Sequence, residues 1–140
     1  MIVLDTNVIS EVIRHTPAPE VISWLDSVAT AEVMTTAITA AELLYGVARL
    51  PQGRRKLQFA AAVQGVLDED FPGRVLSFDE HAAGHYAEVV AARDRLGRPM
   101  GVADAQIAAI CHSVNAVLAT RNIADFEETG LDLIDPWNLS

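Results

Sequence analysis

Cysteine is almost absent from this chain. Cys111 stands alone, so no disulfide can close within it, and such usage fits a reducing compartment. Long apolar runs are also missing; polar or charged residues interrupt each candidate well short of the roughly 20 residues a membrane span needs. A cytoplasmic protein without membrane contact is the expectation. No basic leader precedes an apolar stretch at the start, so no secretory signal is expected. Positive charge is scarce, with 10 lysines and arginines against 19 aspartates and glutamates and a net charge of −9. That balance argues against a broad basic face for nucleic acid, because phosphate neutralisation supplies most of such affinity. It is compatible with acids gathered to hold divalent cations, or with a basic partner. No repeat, low-complexity tract or linker breaks the 140 residues. With 51% hydrophobic and 21% charged residues, one globular domain over residues 1–140 is expected.

What is present begins with Met1-Ile2-Val3-Leu4-Asp5-Thr6-Asn7. A short continuous apolar run reads as a strand buried on both faces, as in the middle of a parallel sheet. Asp5 then stands at the carboxyl edge of that strand, where open α/β sheets bind their ligands. Further on, Thr6 is a candidate cap for a helix over 6–13, and Thr16-Pro17-Ala18-Pro19 breaks it before a helix over 20–28. A strand over 33–38 precedes a helix opening at Thr39, and another helix covers 54–67. After the turn at Phe71-Pro72-Gly73 come a strand over 75–78 and a helix capped by Asp79 and ending near Gly97. A helix over 102–113, a strand over 116–119, a polar loop and a strand over 133–134 complete the chain. Strands separated by helices imply right-handed crossovers and a mainly parallel α/β sheet.

Several carboxylates fall where a strand ends or a helix begins. Thr39-x-x-Glu42 has the form of a capping box, and the same position would bring Glu42 to the carboxyl edge of the sheet. Asp104 lies in line with Ile107, Ala108 and Cys111, the apolar stripe of its own helix. A carboxylate there is costly unless paired or bound to a metal, although the first turn of a helix also favours an anion. A second buried-type strand ends in Thr120-Arg121-Asn122-Ile123-Ala124-Asp125-Phe126, where Asn122 and Asp125 also read as turn residues. Acids converging at one sheet edge repel each other unless a cation lies between them. Oxygen ligands without Cys or His select Mg2+ or Mn2+, and such ions suit phosphodiester hydrolysis.

Leu4-Asp5-Thr6-Asn7-Val8, Ala41-Glu42-Leu43, Asp104-Ala105-Gln106-Ile107-Ala108-Ala109 and the 120–126 segment resemble, in order, the four signatures of PIN-domain ribonucleases. The resemblance runs to Asp135-Pro136-Trp137 and is nearest to VapC-type toxins of toxin–antitoxin pairs, in the FitB-like branch. It implies a three-layer α/β/α fold around a central, mainly parallel sheet of four or five strands. It implies Mg2+, with Mn2+ as a substitute, held chiefly by Asp5 and Asp104, and Glu42 completing the pocket directly or through water. Thr6 and Asn7 would orient Asp5, while Thr120 and Asn122 would line the pocket. Relatives often carry a fourth acid here; Asn122 takes that place, and Asp125 is the nearest carboxylate. The implied activity is endoribonucleolytic hydrolysis by metal-activated water, leaving a 3′-hydroxyl and a 5′-phosphate. The implied partners are RNA, a second copy of the chain, and a small VapB- or FitA-like antitoxin lying across the acidic pocket, with operator DNA reached only through the antitoxin.

Other residues invite a functional reading. Arg54-Arg55-Lys56 is the one basic cluster and either guides RNA or simply opens a solvated helix. His81 and His85 share the spacing of a metal pair but lack an accompanying motif. Trp24 and Trp137 read as packing or interface residues, or as a platform for a base. Two rival functions remain: a non-catalytic partner-binding module that keeps the fold, and a phosphatase using Asp5 as nucleophile, which would want a second acid where Asn7 stands.

Overall fold

The apolar run at the start forms β1 (Ile2–Leu4), the middle strand of the sheet. The computed structural model describes residues 1–139. The other strands are β2 (Val33–Thr36), β3 (Val75–Leu76), β4 (Val117–Ala119) and β5 (Leu133–Ile134). Their order is β3-β2-β1-β4-β5, and every pairing is parallel. Ile2 pairs with both Val33 and Val117, so β1 is flanked on both sides, as its unbroken apolar sequence requires. The chain leaves β1 towards β2 and later returns past it to β4. The sheet therefore reverses its winding between β1 and β4, and a crevice opens beyond their carboxyl ends.

Successive side chains of a strand face opposite ways. Leu4 and Ala119 join one core with Val8, Ile9, Val21, Trp24, Leu43 and Val63. These come from α1 (Thr6–Val12), α2 (Pro19–Ser27), α3 (Ala37–Ala48) and α4 (Arg54–Gly65). Val3 and Leu118 join a second core with Val89, Ile107, Ala108 and Cys111, from α5 (Glu80–Arg95) and α6 (Val102–Val114). The three-layer α/β/α arrangement is the expected one. Each fully buried Val, Leu or Ile contributes about 1.5–3 kcal/mol, so two such cores hold the sheet edge rigidly. Among the described residues, no helix is long and apolar enough to cross a membrane.

Helix starts differ from expectation in two places that matter for the site. Asp5, not Thr6, caps α1: its Oδ1 accepts a hydrogen bond from the Thr6 amide at 2.8 Å. The strand expected over 33–38 stops at Thr36, whose hydroxyl caps α3 by accepting from the Thr39 amide at 3.0 Å. Thr39 is thus inside the helix, the capping box does not form, and Glu42 stands in the second turn with its carboxylate available for another purpose. Asp79 caps α5 as expected, accepting from the Ala82 amide at 2.9 Å. The loop after β4 contains a short helix, α7 (Ile123–Phe126), pinned by the buried Phe126 ring.

A buried arginine ties that loop to the body. Arg93, on the inward side of α5, is only 4% exposed. It donates to the carbonyls of Arg98 (2.7 Å), Asp125 (3.0 Å) and Glu127 (2.8 Å). The charge is tolerated in the core because these backbone oxygens solvate it. Arg93→Ala should therefore lower unfolding stability by about 2–3 kcal/mol, since buried acceptors lose a charged donor. An unaltered urea midpoint for the purified variant would show that Arg93 does not hold the loop.

Candidate active site

Asp5 is the first residue beyond β1, joined to β4 through its amide, which donates to the Ala119 carbonyl at 2.9 Å. Its residue surface is 4% exposed. Besides the Thr6 amide on Oδ1, its Oδ2 accepts from the Thr120 hydroxyl at 2.7 Å and from Asn7 Nδ2 at 3.4 Å. Asn7 spans the crevice: its Nδ2 lies 3.3 Å from Thr120 Oγ1, and its Oδ1 accepts from the Arg121 amide at 3.1 Å. The Thr120 hydroxyl also accepts from the Asn122 amide at 3.1 Å. Residues from the ends of β1 and β4 thus form one network that fixes both Asp5 oxygens.

Glu42 reaches the same place from α3. The Thr6 hydroxyl donates to its Oε1 at 2.7 Å, and the Thr6 and Thr39 hydroxyls lie 3.1 Å apart. Asp104 arrives from the first turn of α6, half-buried above the stripe of Ile107, Ala108 and Cys111, each fully buried. Its carboxylate accepts no hydrogen bond from the described residues. Asp5, Glu42 and Asp104 all line a cleft of about 470 Å³, together with Thr6, Asn7 and Asn122.

The crowding is visible in the protonation of these groups. Burial pushes Asp104 up to about 6, and the negative charges of Asp5, Asp125 and Glu42 add to it, with Arg93 opposing. Burial likewise raises Asp5, while its bonds from Thr120 and Thr6 pull the other way and Glu42 and Asp125 push it up again. Asp125 acts through its charge from an exposed position in α7 and does not line the cleft.

A hard cation would relieve this strain. Among the described residues, no three His, Cys, Asp or Glu side chains are grouped tightly enough to hold an ion as they stand. The donor chemistry nevertheless fits: every candidate ligand is an oxygen, and each carboxylate keeps lone pairs beyond the hydrogen bonds it accepts. Among the described residues Asp104 has both oxygens uncommitted, whereas Asp5 is already fixed in orientation by protein donors, as metal-binding carboxylates commonly are.

The remaining candidates fall elsewhere. Arg54 and Arg55 are exposed, Lys56 donates to the Ala48 carbonyl at 3.4 Å, and none of the three lines the acidic cleft. His81 meets His85 edge-on at 5.1 Å between ring centres, and His85 stacks on His112 at 5.6 Å. Cys111 is core, its thiol pushed up to about 12 by burial. A second cleft, of about 390 Å³, contains Leu4, Ile9, Phe71 and Arg74 and none of the expected site residues. Sequence reasoning passed over Arg14, Glu11 and the site role of Arg121, all of which line the acidic cleft, as does Trp137. Arg121 adjoins Thr120 in the motif, which was the available signal; Glu11 and Arg14 left none beyond their spacing on α1.

Fold and cleft define the class: a parallel α/β domain with an acidic cleft where its sheet reverses winding. A family model described as PIN domain matches residues 2–130, and the chain belongs to the PIN-domain family. It is 41% identical over 137 residues to the VapC ribonuclease Y4jK of Sinorhizobium fredii, covering 98% of both chains. It is 38% identical over 138 residues to the toxin FitB of Neisseria gonorrhoeae, covering 99% of both. It superposes with a TM-score of 0.92 at 37% identity on a chain in the structure of FitAB bound to the IR36 DNA fragment, covering 100% of this chain and 98% of that one.

The raised Asp104 has a measurable consequence. An unfolded aspartate ionises near 3.8 and the folded one near 6. Between those values the folded chain keeps a proton that the unfolded chain has released, so stability from this group falls as pH rises through the window and is gone above it. In chelator, Asp104→Asn should melt higher than wild type at pH 7.5, with the gap narrowing towards pH 5. A gap of the opposite sign, or one indifferent to pH, would contradict the assignment.

Proposed function

We propose that this chain, as one PIN domain over residues 1–140, is a Mg2+-dependent endoribonuclease and the toxin of a type II toxin–antitoxin pair. The reading is carried by one observation: Asp5, Glu42 and Asp104, from three separate elements, line a single cleft at the switch point of the sheet. The ribonuclease and toxin relatives support it.

Asp5 and Asp104 would hold Mg2+, or Mn2+ in its place, with Glu42 completing the set directly or through water. The bound ion would neutralise charge on the phosphoryl oxygens and acidify a coordinated water. The chain's own residues do the rest. Thr120, Asn7 and the Thr6 amide fix Asp5, so that no reorganisation is required at the moment of reaction. The Thr6 hydroxyl occupies Glu42 Oε1, so that where Glu42 meets the ion through water its Oε2 is left to accept a proton from that water. Asn122 presents a neutral amide at the cleft wall where a fourth acid would add repulsion, and Asp125 tunes the other acids by its charge. Water oxygen joins phosphorus as the bond to the 3′-oxygen breaks, and the departing 3′-oxygen takes a proton from solvent, giving a 3′-hydroxyl and a 5′-phosphate. A phosphoaspartate route is disfavoured, because both Asp5 oxygens already accept hydrogen bonds and the residue is buried.

The partners belong to the same proposal: a homodimer, a VapB- or FitA-like antitoxin across the acidic cleft, and operator DNA contacted through that antitoxin. The solved FitAB complex with DNA and the DNA-bound VapBC of Salmonella typhimurium, at TM-scores of 0.92 and 0.83, support it.

Asp5→Asn and Asp104→Asn should each abolish Mg2+-dependent cleavage of structured RNA while the purified variants stay folded by circular dichroism. Full activity in either would end the ligand assignment. Thr120→Val should reduce cleavage by about 10- to 100-fold, the usual cost of removing a residue that orients a metal-binding side chain, and Thr120→Ser should recover it. Equal activity of the valine variant would mean that Asp5 needs no such support.

A further inference from the structure

Two arginines line the acidic cleft, and they are differently committed. Arg14 Nη1 lies 3.0 Å from both oxygens of Glu11, so its charge is neutralised in place. Arg121 forms no ion pair within 4 Å among the described residues and only its backbone amide is hydrogen-bonded, although its charge adds to the Ala18 amide and Arg14 in holding Glu11 below the usual carboxylate range. Its guanidinium instead lies 4.8 Å from the centre of the Trp137 ring.

That position is built. The Arg121 backbone is fixed by Asn7, the residue that also holds Asp5, so the side chain begins one residue beyond the Thr120 hydroxyl. Trp137 packs against the core that contains Leu4 and Val8, and its amide donates to Asp135 Oδ1 at 2.9 Å. In a cleft lined by Asp5, Glu42 and Asp104, a free arginine would be drawn onto a carboxylate. Stacking on an aromatic face keeps it apart at a modest gain of about 0.5–1 kcal/mol, and leaves the N–H groups in the guanidinium plane free to donate. Such a group suits a tetrahedral anion with two oxygens to offer, and Arg binds phosphate in that forked manner better than Lys.

We propose that Arg121, braced on Trp137, binds a phosphodiester of the RNA backbone adjacent to the one cleaved at the acids. This rests on the ribonuclease reading for the identity of the substrate, and it assigns the cleft a phosphate subsite of its own. Arg121 positions the strand and takes no part in the chemistry. Trp137 acts through Arg121.

The test uses the full-length chain and separates binding from turnover. Binding of a short fluorescein-labelled single-stranded RNA is followed by anisotropy across a salt series, in the Asp104→Asn background so that no cleavage intervenes. Adding Arg121→Met, which keeps an unbranched stem on the indole but removes the charge, should weaken binding about tenfold. It should also flatten the slope of log K against log salt by about 0.7, the share of one single-strand phosphate contact. Arg121→Lys should recover the slope but only part of the affinity, and Trp137→Leu should weaken binding without changing the slope. In the cleaving protein the loss should fall on KM rather than kcat. An unchanged affinity and slope for Arg121→Met overturns the proposal, and so does loss of antitoxin binding with RNA binding intact, which would assign Arg121 to the protein partner. Failure of the ribonuclease reading shows itself separately, as wild-type protein that cleaves no RNA in Mg2+ or Mn2+ whatever the salt slope reports.

Discussion

The hydrogen bond from the Thr120 hydroxyl to Asp5 joins the two strands between which the sheet reverses, and the rest of the site is arranged about it. Asp5 must be buried to end a central strand, and a buried carboxylate needs donors. Thr120, Asn7 and the Thr6 amide supply them, and each lies at a carboxyl end of β1 or β4 because the parallel register puts Leu4 beside Ala119. Neither a shifted register nor an antiparallel neighbour would bring those groups together. The strand pairing is therefore as much a part of the chemistry as the acids are.

Against that order stands a deliberate disorder of charge. Among the described residues Asp104 accepts no hydrogen bond, and burial together with the charges of Asp5, Asp125 and Glu42 holds its carboxyl above the usual range. A protein selected only for stability would place an amide or an apolar residue above Ile107 and Ala108, completing the stripe. Retaining the carboxylate makes sense when a cation is recruited to it, since the repulsion that weakens the empty site is what raises affinity for the ion. Functional sites commonly carry such costs while the surrounding structure absorbs them. Here the two apolar cores on either face of the sheet do the absorbing.

Much of this was legible in the residues. The unbroken Ile2-Val3-Leu4 run gave away a strand flanked on both sides, and Asp104 in register with a buried stripe pointed to a site even though a first-turn acid also suits the helix dipole. The start of α3 was not legible, because Thr36 and Thr39 are both competent caps and each is followed by a plausible first turn. What decides between them is pairing: Thr36 is still held in the sheet opposite Leu76, so its backbone is extended and its hydroxyl is free to cap. The role of Arg93 was not legible either, because its carbonyl partners come from loops whose path no local pattern encodes. The basic triplet presents the opposite case. Charge density along the chain attracts attention, but Arg54, Arg55 and Lys56 lie outside the cleft, while the isolated Arg121 lies in it.

The scarcity of positive charge gains meaning from that contrast. A ribonuclease with a broad cationic face would bind any RNA through its backbone, and its discrimination would be diluted by non-specific contacts. With a net charge of −9, a chain of this kind offers RNA little non-specific attraction, so binding at the cleft depends on its charge being locally neutralised. In the proposed mechanism that neutralisation needs two things together, a divalent ion between the carboxylates and the Arg121 guanidinium on Trp137. Neither suffices, because one divalent ion leaves a negative charge on three carboxylates and one arginine alone is outweighed by them, whereas together they cancel it. An acidic body with a small, conditional focus of neutralised charge therefore makes turnover depend on a loaded metal site and a strand placed correctly at both phosphates. The same arrangement leaves the empty cleft attractive to a basic inhibitor, whose cation would satisfy the carboxylates in place of the ion.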